Sequence, residues 1–449
     1  MKFSMALALQ EIKKDLAEHL QPEVIRDVCK AAGHRWRQRV LDPCTTIQLF
    51  AIQVLHANTA VNHLRHLSGM AFTAAAYCLA RARLPLDVLQ RLLQRVGQAL
   101  QATMDDEGRW RGHRVFHLDG SSFSMPDTPA LQHKFGQPGN QKAGCGFPVA
   151  HILTMFHAGT GFLLKVLAAP LRTHDMAQVA VLHPDLHAGD VVVGDRAFCS
   201  FAHFALLALR HLHGLFRLHQ RQLVDFRPQR PYSAPGKKRL KGLPTSRWLQ
   251  SLGVTDQLVE WFKPKSRPAW LTVAQYAALP ASQELREMRY QITQPGFRTE
   301  AVTLVTTLLN ADTYPAEALA QLYRQRWQIE TNLKHLKQTM GMDVLRCETE
   351  QGVLKELTMF ALMYNLVRVV MCAAARRQNV AVERISFVDA LRWLADAEPG
   401  SPLPDLVVNP DRPGRVEPRV VKRRPKQYAR LNRPRQELRK QLIEKKVAA

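Results

Sequence analysis

Val115-Phe116-His117-Leu118-Asp119-Gly120-Ser121-Ser122 runs an apolar, strand-like stretch onto an aspartate, and Val191-Val192-Val193-Gly194-Asp195-Arg196-Ala197-Phe198 repeats the pattern. β-Branched and aromatic residues bounded by Gly and Ser read as short buried strands. Both carboxylates then stand at or near strand ends, where ligands of α/β sheets gather. An aspartate after a strand also serves as a plain turn former, so each alone leaves both readings open.

The surroundings extend the reading. Residues 149–156 and 162–168, joined by His157-Ala158-Gly159-Thr160-Gly161, form a hairpin pattern beside the Asp119 strand. A helix over 175–183, the Asp195 strand over 190–193, a helix over 201–211 and a strand over 215–218 follow. Three strands, helix, strand, helix, strand is the order of a ribonuclease H-like α/β fold with a mixed sheet, which sets Asp119 and Asp195 side by side.

A third carboxylate lies in Tyr323-Arg324-Gln325-Arg326-Trp327-Gln328-Ile329-Glu330-Thr331-Asn332-Leu333-Lys334-His335-Leu336-Lys337. On one continuous helix Tyr323, Arg326, Glu330 and Lys337 fall at roughly 0°, 300°, 340° and 320°, a narrow strip that Leu319 joins. Leu322, Ile329, Leu333 and Leu336 lie on the adjoining flank and can face a core. A solvated charged face with intrahelical ion pairs is the plain alternative. Three carboxylates on two strands and a helix nevertheless match what two-metal phosphoryl chemistry needs, because magnesium takes oxygen ligands from a few carboxylates plus substrate phosphate.

Asp119 in a strand-Asp-Gly-Ser context, Asp195 in Gly-Asp-Arg, and Glu330 within Tyr-x-x-Arg-x-x-x-Glu-x-x-x-x-x-x-Lys resemble the DDE transposases of bacterial insertion sequences. The last spacing resembles the Tyr-Arg-Glu-Lys signature of one large group of them, and the likeness spans roughly residues 111–375. The resemblance implies that Asp119, Asp195 and Glu330 are catalytic and hold two Mg2+ ions, with Mn2+ as a substitute. It implies that Tyr323, Arg326 and Lys337 contact DNA at the element ends, and that the enzyme acts on double-stranded DNA as a homodimer in the synapse. Asp127, Asp190, Glu348 and Glu350 are rival carboxylates outside the motif registers.

With 62 Lys plus Arg against 38 Asp plus Glu, the formal charge of +24 suits a polyanionic partner. Seven cysteines show no CxxC pair, so neither a disulfide framework nor structural zinc is expected, and a reducing cytoplasm, close to the nucleoid, fits. The first nine residues read as an amphipathic helix rather than a secretory signal. The apolar run 357–375 contains Asn365 and Arg368 and reads as a buried core helix, with no membrane partner expected.

Residues 1–110 read as helical, with segments at 22–32, 45–56, 71–83 and 86–104, and fit a DNA-reading module with Arg35, Arg37, Arg39 and Arg81 or Arg83 on phosphates; the resemblance implies that this region recognises transposon ends. A helical bundle that merely supports the catalytic domain is the alternative. The catalytic core occupies 111–220 and 301–396. The 135 steps from Asp195 to Glu330 are too many for a simple connection, so 221–300 reads as a mostly β insertion subdomain, with strand-like pieces at 258–262 and 287–293, then 301–309 returning to the core. Its basic cluster Pro235-Gly236-Lys237-Lys238-Arg239-Leu240-Lys241 suits DNA. Trp261, Trp270 and Phe297 are candidates to stack on a flipped base, but core packing explains each more simply. His117 and His174 read as hydrogen-bonded structural residues. Helices are expected over 352–377 and 387–395, followed by a Pro-containing linker and basic tail over 397–449. The tail from Arg412, with Lys422-Arg423-Arg424-Pro425-Lys426, reads as disordered and able to bind DNA backbone.

The expected activity is metal-dependent cutting at the element ends and transfer of the 3′ hydroxyls to target DNA. A nuclease or resolvase without strand transfer, and a catalytically silent DNA-binding relic, are the alternatives.

Overall fold

Val191-Val192-Val193-Gly194 is buried along its whole length, as a central parallel strand with both faces covered must be. It is the fourth strand of a nine-stranded sheet in a computed structural model that describes residues 4–139, 141–173, 175–235, 240–291, 301–396, 398, 400–410 and 431–447. The strands are β1 Val115–Ser124, β2 Val149–His157, β3 Leu163–Pro170, β4 Val191–Gly194, β5 His213–Arg217, β6 Arg247–Gly253, β7 Asp256–Phe262, β8 Ser282–Gln291 and β9 Ala301–Thr306. Their order is β3-β2-β1-β4-β5-β9-β8-β7-β6. β1, β2 and β3 are an antiparallel meander, and β4 and β5 add in parallel to β1. A mixed sheet with the Asp119 strand beside the Asp195 strand is what the sequence led to expect.

The stretch between Asp195 and Glu330 continues this sheet. β9 pairs antiparallel with β5, and β8, β7 and β6 follow outward. β6 escaped the sequence reading because its residues are mostly exposed or half-buried, without the apolar run that marks a buried strand. The segments at 236–239 and 292–300, which include the Gly236-Lys237-Lys238-Arg239 cluster and Phe297, lie outside the described residues, as do His174 and 411–430.

Strand alternation divides the interior into two cores. Phe116, Leu118 and Val192 face the larger one, with the N-terminal helices and Glu350–Gln378, whereas Val115, Val191, Val193 and Leu215 face a smaller one closed by Leu319, Leu322 and Tyr323. Helices Pro43–Leu55 and Leu86–Ala99 both pack on Glu350–Gln378. The run expected over 86–104 divides at Leu100 into Leu86–Ala99 and Gln101–Asp106. Glu350–Gln378 is long and apolar enough to cross a bilayer, yet 94% of its most apolar window is buried inside the protein. Two of its buried polar residues bond the sheet: Asn365 accepts from Leu163 N at 2.8 Å and donates to Leu163 O at 3.0 Å, and Arg368 Nε donates to Thr160 O at 2.8 Å. They hold the β2–β3 turn.

Two expectations are corrected. Arg81 does not face phosphate: its guanidinium lies 3.7 Å from the Phe50 ring centroid and donates to Gln53 Oε1 at 2.9 Å and to Cys347 Sγ at 3.1 Å, so it ties the helical region to the catalytic core. The tail is not disordered throughout, since Arg435–Val447 is a helix whose Arg435 pairs with Asp127 and lies 4.3 Å from the Phe147 ring centroid.

Candidate active site

The parallel ladder between β1 and β4 ends at His117 and Val193, and Asp119 and Asp195 each stand two residues beyond that last pair. Asp119 is therefore in the middle of β1 rather than at its end; what ends beside it is β4. β1 runs on to Ser124 because β2 still pairs with it, Asp119 opposite Thr154. Alternation puts Val115, His117, Asp119 and Ser121 on the face of the smaller core.

Both aspartates are held by local hydrogen bonds. Asp119 Oδ1 accepts from Gly120 N at 2.9 Å and Asp195 Oδ1 from Ala197 N at 2.7 Å. The glycines beside them have packing reasons. A Cβ on Gly120 would stand 2.7 Å from Asp175 Oδ1, which pairs with His151 on the opposite face, and one on Gly194 would stand 2.7 Å from the Phe198 ring. A side chain at Gly120 would thus have to displace Asp175, and one at Gly194 the Phe198 ring.

The helix expected over 323–337 is instead three pieces. Ala316–Gln325 ends at Arg326, Trp327–Lys334 follows, and His335–Thr339 is a π-turn. Arg326 N bonds Tyr323 O at 3.1 Å and Ile329 N bonds Arg326 O at 3.0 Å, the tight spacing of a 3-10 turn. Leu322, Ile329, Leu333 and Leu336 are buried as expected, and so are Leu319 and Tyr323. Tyr323 is therefore part of the wall rather than an open stacking face.

At this joint Arg326 spans the carboxylates, with Nη1 4.0 Å from Asp119 Oδ2 and Nη2 3.8 Å from Glu330 Oε1. Its guanidinium carbon lies 5.8 Å from the Tyr323 ring centroid. Lys337 donates to Ser121 Oγ at 3.0 Å, which brings it to the face of Asp119. Burial, opposed in part by Asp343, pushes its ammonium down from the usual range. Burial pushes the Asp119 carboxyl up to about 6; Arg326 and the Gly120 N–H oppose this, and Asp195 and Glu330 add to it. The three carboxylates thus share one field. Beneath them His117 is buried, and burial together with Arg326 pushes its imidazole down to about 3, so it is neutral.

The donor set, three carboxylates of which one is pushed up chiefly by burial and further by the other two, suits a hard divalent cation. Among the described residues no three His, Cys, Asp or Glu side chains stand close enough to enclose one ion. The space between Asp119 and Glu330 is bridged by Arg326.

Three of the four rival carboxylates are engaged elsewhere. Asp190 is bound to Arg114, Asp127 to Gln132 and Arg435, and Glu350 pairs with Lys134 at 2.7 Å. Glu348 lends its backbone carbonyl to Thr128 Oγ1. Trp261 is buried with Nε1 on Glu287 at 2.9 Å, and Trp270 packs on the larger core.

Two residues at the site were missed. Arg217 ends β5, next to β4, two positions past the core residue Leu215, and Tyr290 on β8 packs with Tyr323 in the smaller core. Period-two alternation after an apolar run marks Arg217 in the same manner as Asp195, and it was legible. Tyr290 had no local signal, because it arrives through the long excursion after β5.

Residues 110–366 match the transposase DDE domain. The chain belongs to the transposase DDE-domain family. That family comprises enzymes that cut and transfer DNA, generally with divalent metal ions. The chain is similar to the transposase InsG for insertion sequence element IS4 of Escherichia coli (strain K12), 23% identical over 374 residues that cover 79% of this chain and 77% of that protein. It is also similar to a Geobacillus stearothermophilus protein described as "Probable transposase for insertion sequence element IS5377", 32% identical over 87 residues, 19% of this chain and 22% of the relative. Among solved structures, a piggyBac transposase in a synaptic complex with hairpin DNA aligns over 88% of this chain and 79% of its own at 11% identity, with a TM-score of 0.44, a likeness too weak to bear on mechanism. The DDE match spans Asp119, Asp195 and Glu330.

Proposed function

We propose that this protein is an insertion-sequence transposase of the Tyr-Arg-Glu-Lys group, which cuts phosphodiester bonds at the ends of its element and joins the freed 3′ hydroxyls to target DNA. The observation that carries this reading is Arg326 set between Asp119 and Glu330, with Asp195 near enough to act on the Asp119 carboxyl, past the end of β4, in a chain of the DDE family. Asp119, Asp195 and Glu330 would hold Mg2+ or Mn2+, and a pair of such ions supplies activation of the attacking oxygen and stabilisation of the leaving one.

The chain's own residues position the DNA. Arg326 offers a planar fork to a phosphate, Lys337 a point charge steadied by Ser121, and Tyr323 the buried wall that orients Arg326. Arg217 extends the cationic edge beyond Asp195. End recognition falls to the N-terminal helical region, where Arg35, Arg37, Arg39 and Arg83 line a cavity of about 1120 Å³ with Trp36 and Phe72. Among the described residues none of these arginines pairs with a carboxylate, which leaves them for backbone phosphates. Helix Ala74–Arg83, which bears Arg83, is tied through Arg81 to Cys347, close to Val344, which bridges to Ser124 at the end of β1. DNA seated in this cavity therefore has a fixed relation to Asp119. The working form is a homodimer on paired ends, in the cytoplasm at the nucleoid.

The test is incubation of a DNA fragment carrying the gene's own flanks with Mg2+ and either wild-type protein or Glu330→Gln. Cuts at the element ends and joined products with wild type alone are expected. Equal cutting by both proteins removes Glu330 from the site, and cuts without joined products make the protein a nuclease.

A further inference from the structure

Arg326 is placed between two carboxylates yet bound firmly to neither. Its closest approaches, 4.0 Å to Asp119 and 3.8 Å to Glu330, exceed hydrogen-bond length, and its Nε has no hydrogen-bond partner among the described residues although it is buried. A guanidinium has five N–H donors, and donors left unused in a buried position carry a cost that a better acceptor relieves. The side chain is 13% exposed, so that relief has to come from a group entering the cleft. The joint at Arg326 is a 3-10 turn between two α-helices, the kind of helix irregularity at which a side chain can be re-aimed.

We propose that Arg326 is a removable counter-ion of the catalytic carboxylates: it neutralises Asp119 and Glu330 in the free protein, and a DNA phosphate draws it off, so that divalent-metal loading is coupled to DNA binding. This inference rests on the reading of Asp119, Asp195 and Glu330 as the metal-binding set. Electrostatics makes the coupling reciprocal. A cation near 4 Å from a carboxylate attracts it more strongly at the lower effective dielectric of a protein surface than in bulk water, and a metal ion must compete with that. A phosphate offers Arg326 a bidentate, charge-assisted pair in exchange, and phosphate and metal then bring the site toward neutrality together. By linkage, metal in turn tightens the hold on phosphate by the same factor. The free enzyme is thereby kept from loading metal before its substrate is in place.

The test reads metal binding rather than turnover. Free Mn2+ is titrated by electron paramagnetic resonance against full-length wild type, Arg326→Gln and Arg326→Lys, each without DNA and with a short mixed-sequence duplex. Without DNA, Arg326→Gln is expected to bind Mn2+ about tenfold more tightly than wild type, and Arg326→Lys, which keeps a cation there, to stay near wild type. The duplex is expected to tighten Mn2+ binding by wild type and to leave Arg326→Gln unchanged. Asp119→Asn in the Arg326→Gln background is expected to abolish the added Mn2+ uptake, which places it at the site. Equal Mn2+ affinity of wild type and Arg326→Gln, or Arg326→Lys tracking Arg326→Gln, overturns the counter-ion role and leaves the metal-binding set standing. No Mn2+ bound by any of these proteins, with or without DNA, overturns both.

Discussion

Arg114 and Arg326 stand at opposite ends of the same pair of strands, in opposite chemical conditions. Arg114, just before β1, donates Nε and Nη2 to the two oxygens of Asp190, just before β4, at 2.9 and 2.6 Å, and Nη1 to Gln101 and Asp105 at 2.8 and 3.2 Å. Arg326, past the other end of β4, reaches Asp119 and Glu330 only at 4.0 and 3.8 Å and leaves Nε unpartnered. A buried charge is tolerable when its donors and its countercharge are matched in place. The Arg114 end meets that condition and holds the sheet together. The Arg326 end does not meet it within the chain, and in the proposed function its spare donors and shared negative field are what a phosphate and a divalent cation would complete.

The contrast can be broken in three places. Arg114→Ala strands the Asp190 carboxylate in the interior, and a loss of about 3–5 kcal/mol is expected, read from the urea midpoint at neutral pH. A loss under about 1 kcal/mol would erase the difference between the two ends.

The second concerns Asp119, whose carboxyl is pushed up to about 6 from an ordinary 3.8. A raised carboxyl pKa means that the native state keeps this proton to higher pH than the unfolded chain does. The linked stability is present below about pH 4 and is lost as pH rises through about 6. Without divalent metal at pH 7, Asp119→Asn is therefore expected to be more stable than wild type by on the order of 2 kcal/mol, with the gap closing at pH 4. Parallel denaturation curves at the two pH values check it, and an Asp119→Asn protein less stable than wild type at pH 7 would contradict the penalty that burial and the neighbouring carboxylates place on the Asp119 charge. Third and smallest in stability, Arg326→Gln is expected to shift the midpoint by less than about 1 kcal/mol. Its DNA cutting should nevertheless fall by about 10²–10³-fold, as for loss of one preorganised donor to developing charge.

The core of the fold was legible because it is written locally. Val115–Leu118 and Val191–Val193 are apolar enough to declare buried strands, and the hairpin at 157–161 declares its own turn. Asp119 and Asp195 came together as the strand order required. What the sequence hid is set by tertiary contacts. β6 looks like a loop because its side chains stay largely exposed or half-buried, and what makes it a strand is its backbone pairing with β7, to which Arg247 adds an ion pair with Glu260. Periodicity in the 323–337 stretch assumes an unbroken helix, and the turn at Arg326 is imposed by packing Tyr323 and Ile329 into different cores. Arg81 has the same local pattern as Arg83, and only the placement of Phe50, Gln53 and Cys347 around it decides that it is a buried brace.

The most direct measurement is Mg2+-dependent cutting of the gene's own flanking DNA by Asp119→Asn, made on the same preparation as its urea midpoint. The expected result is a protein at least as stable as wild type at pH 7 without metal that makes no cuts at the element ends. Cutting at the wild-type rate by this folded variant, or loss of cutting only together with loss of the fold, would contradict the assignment of Asp119 to chemistry rather than to structure.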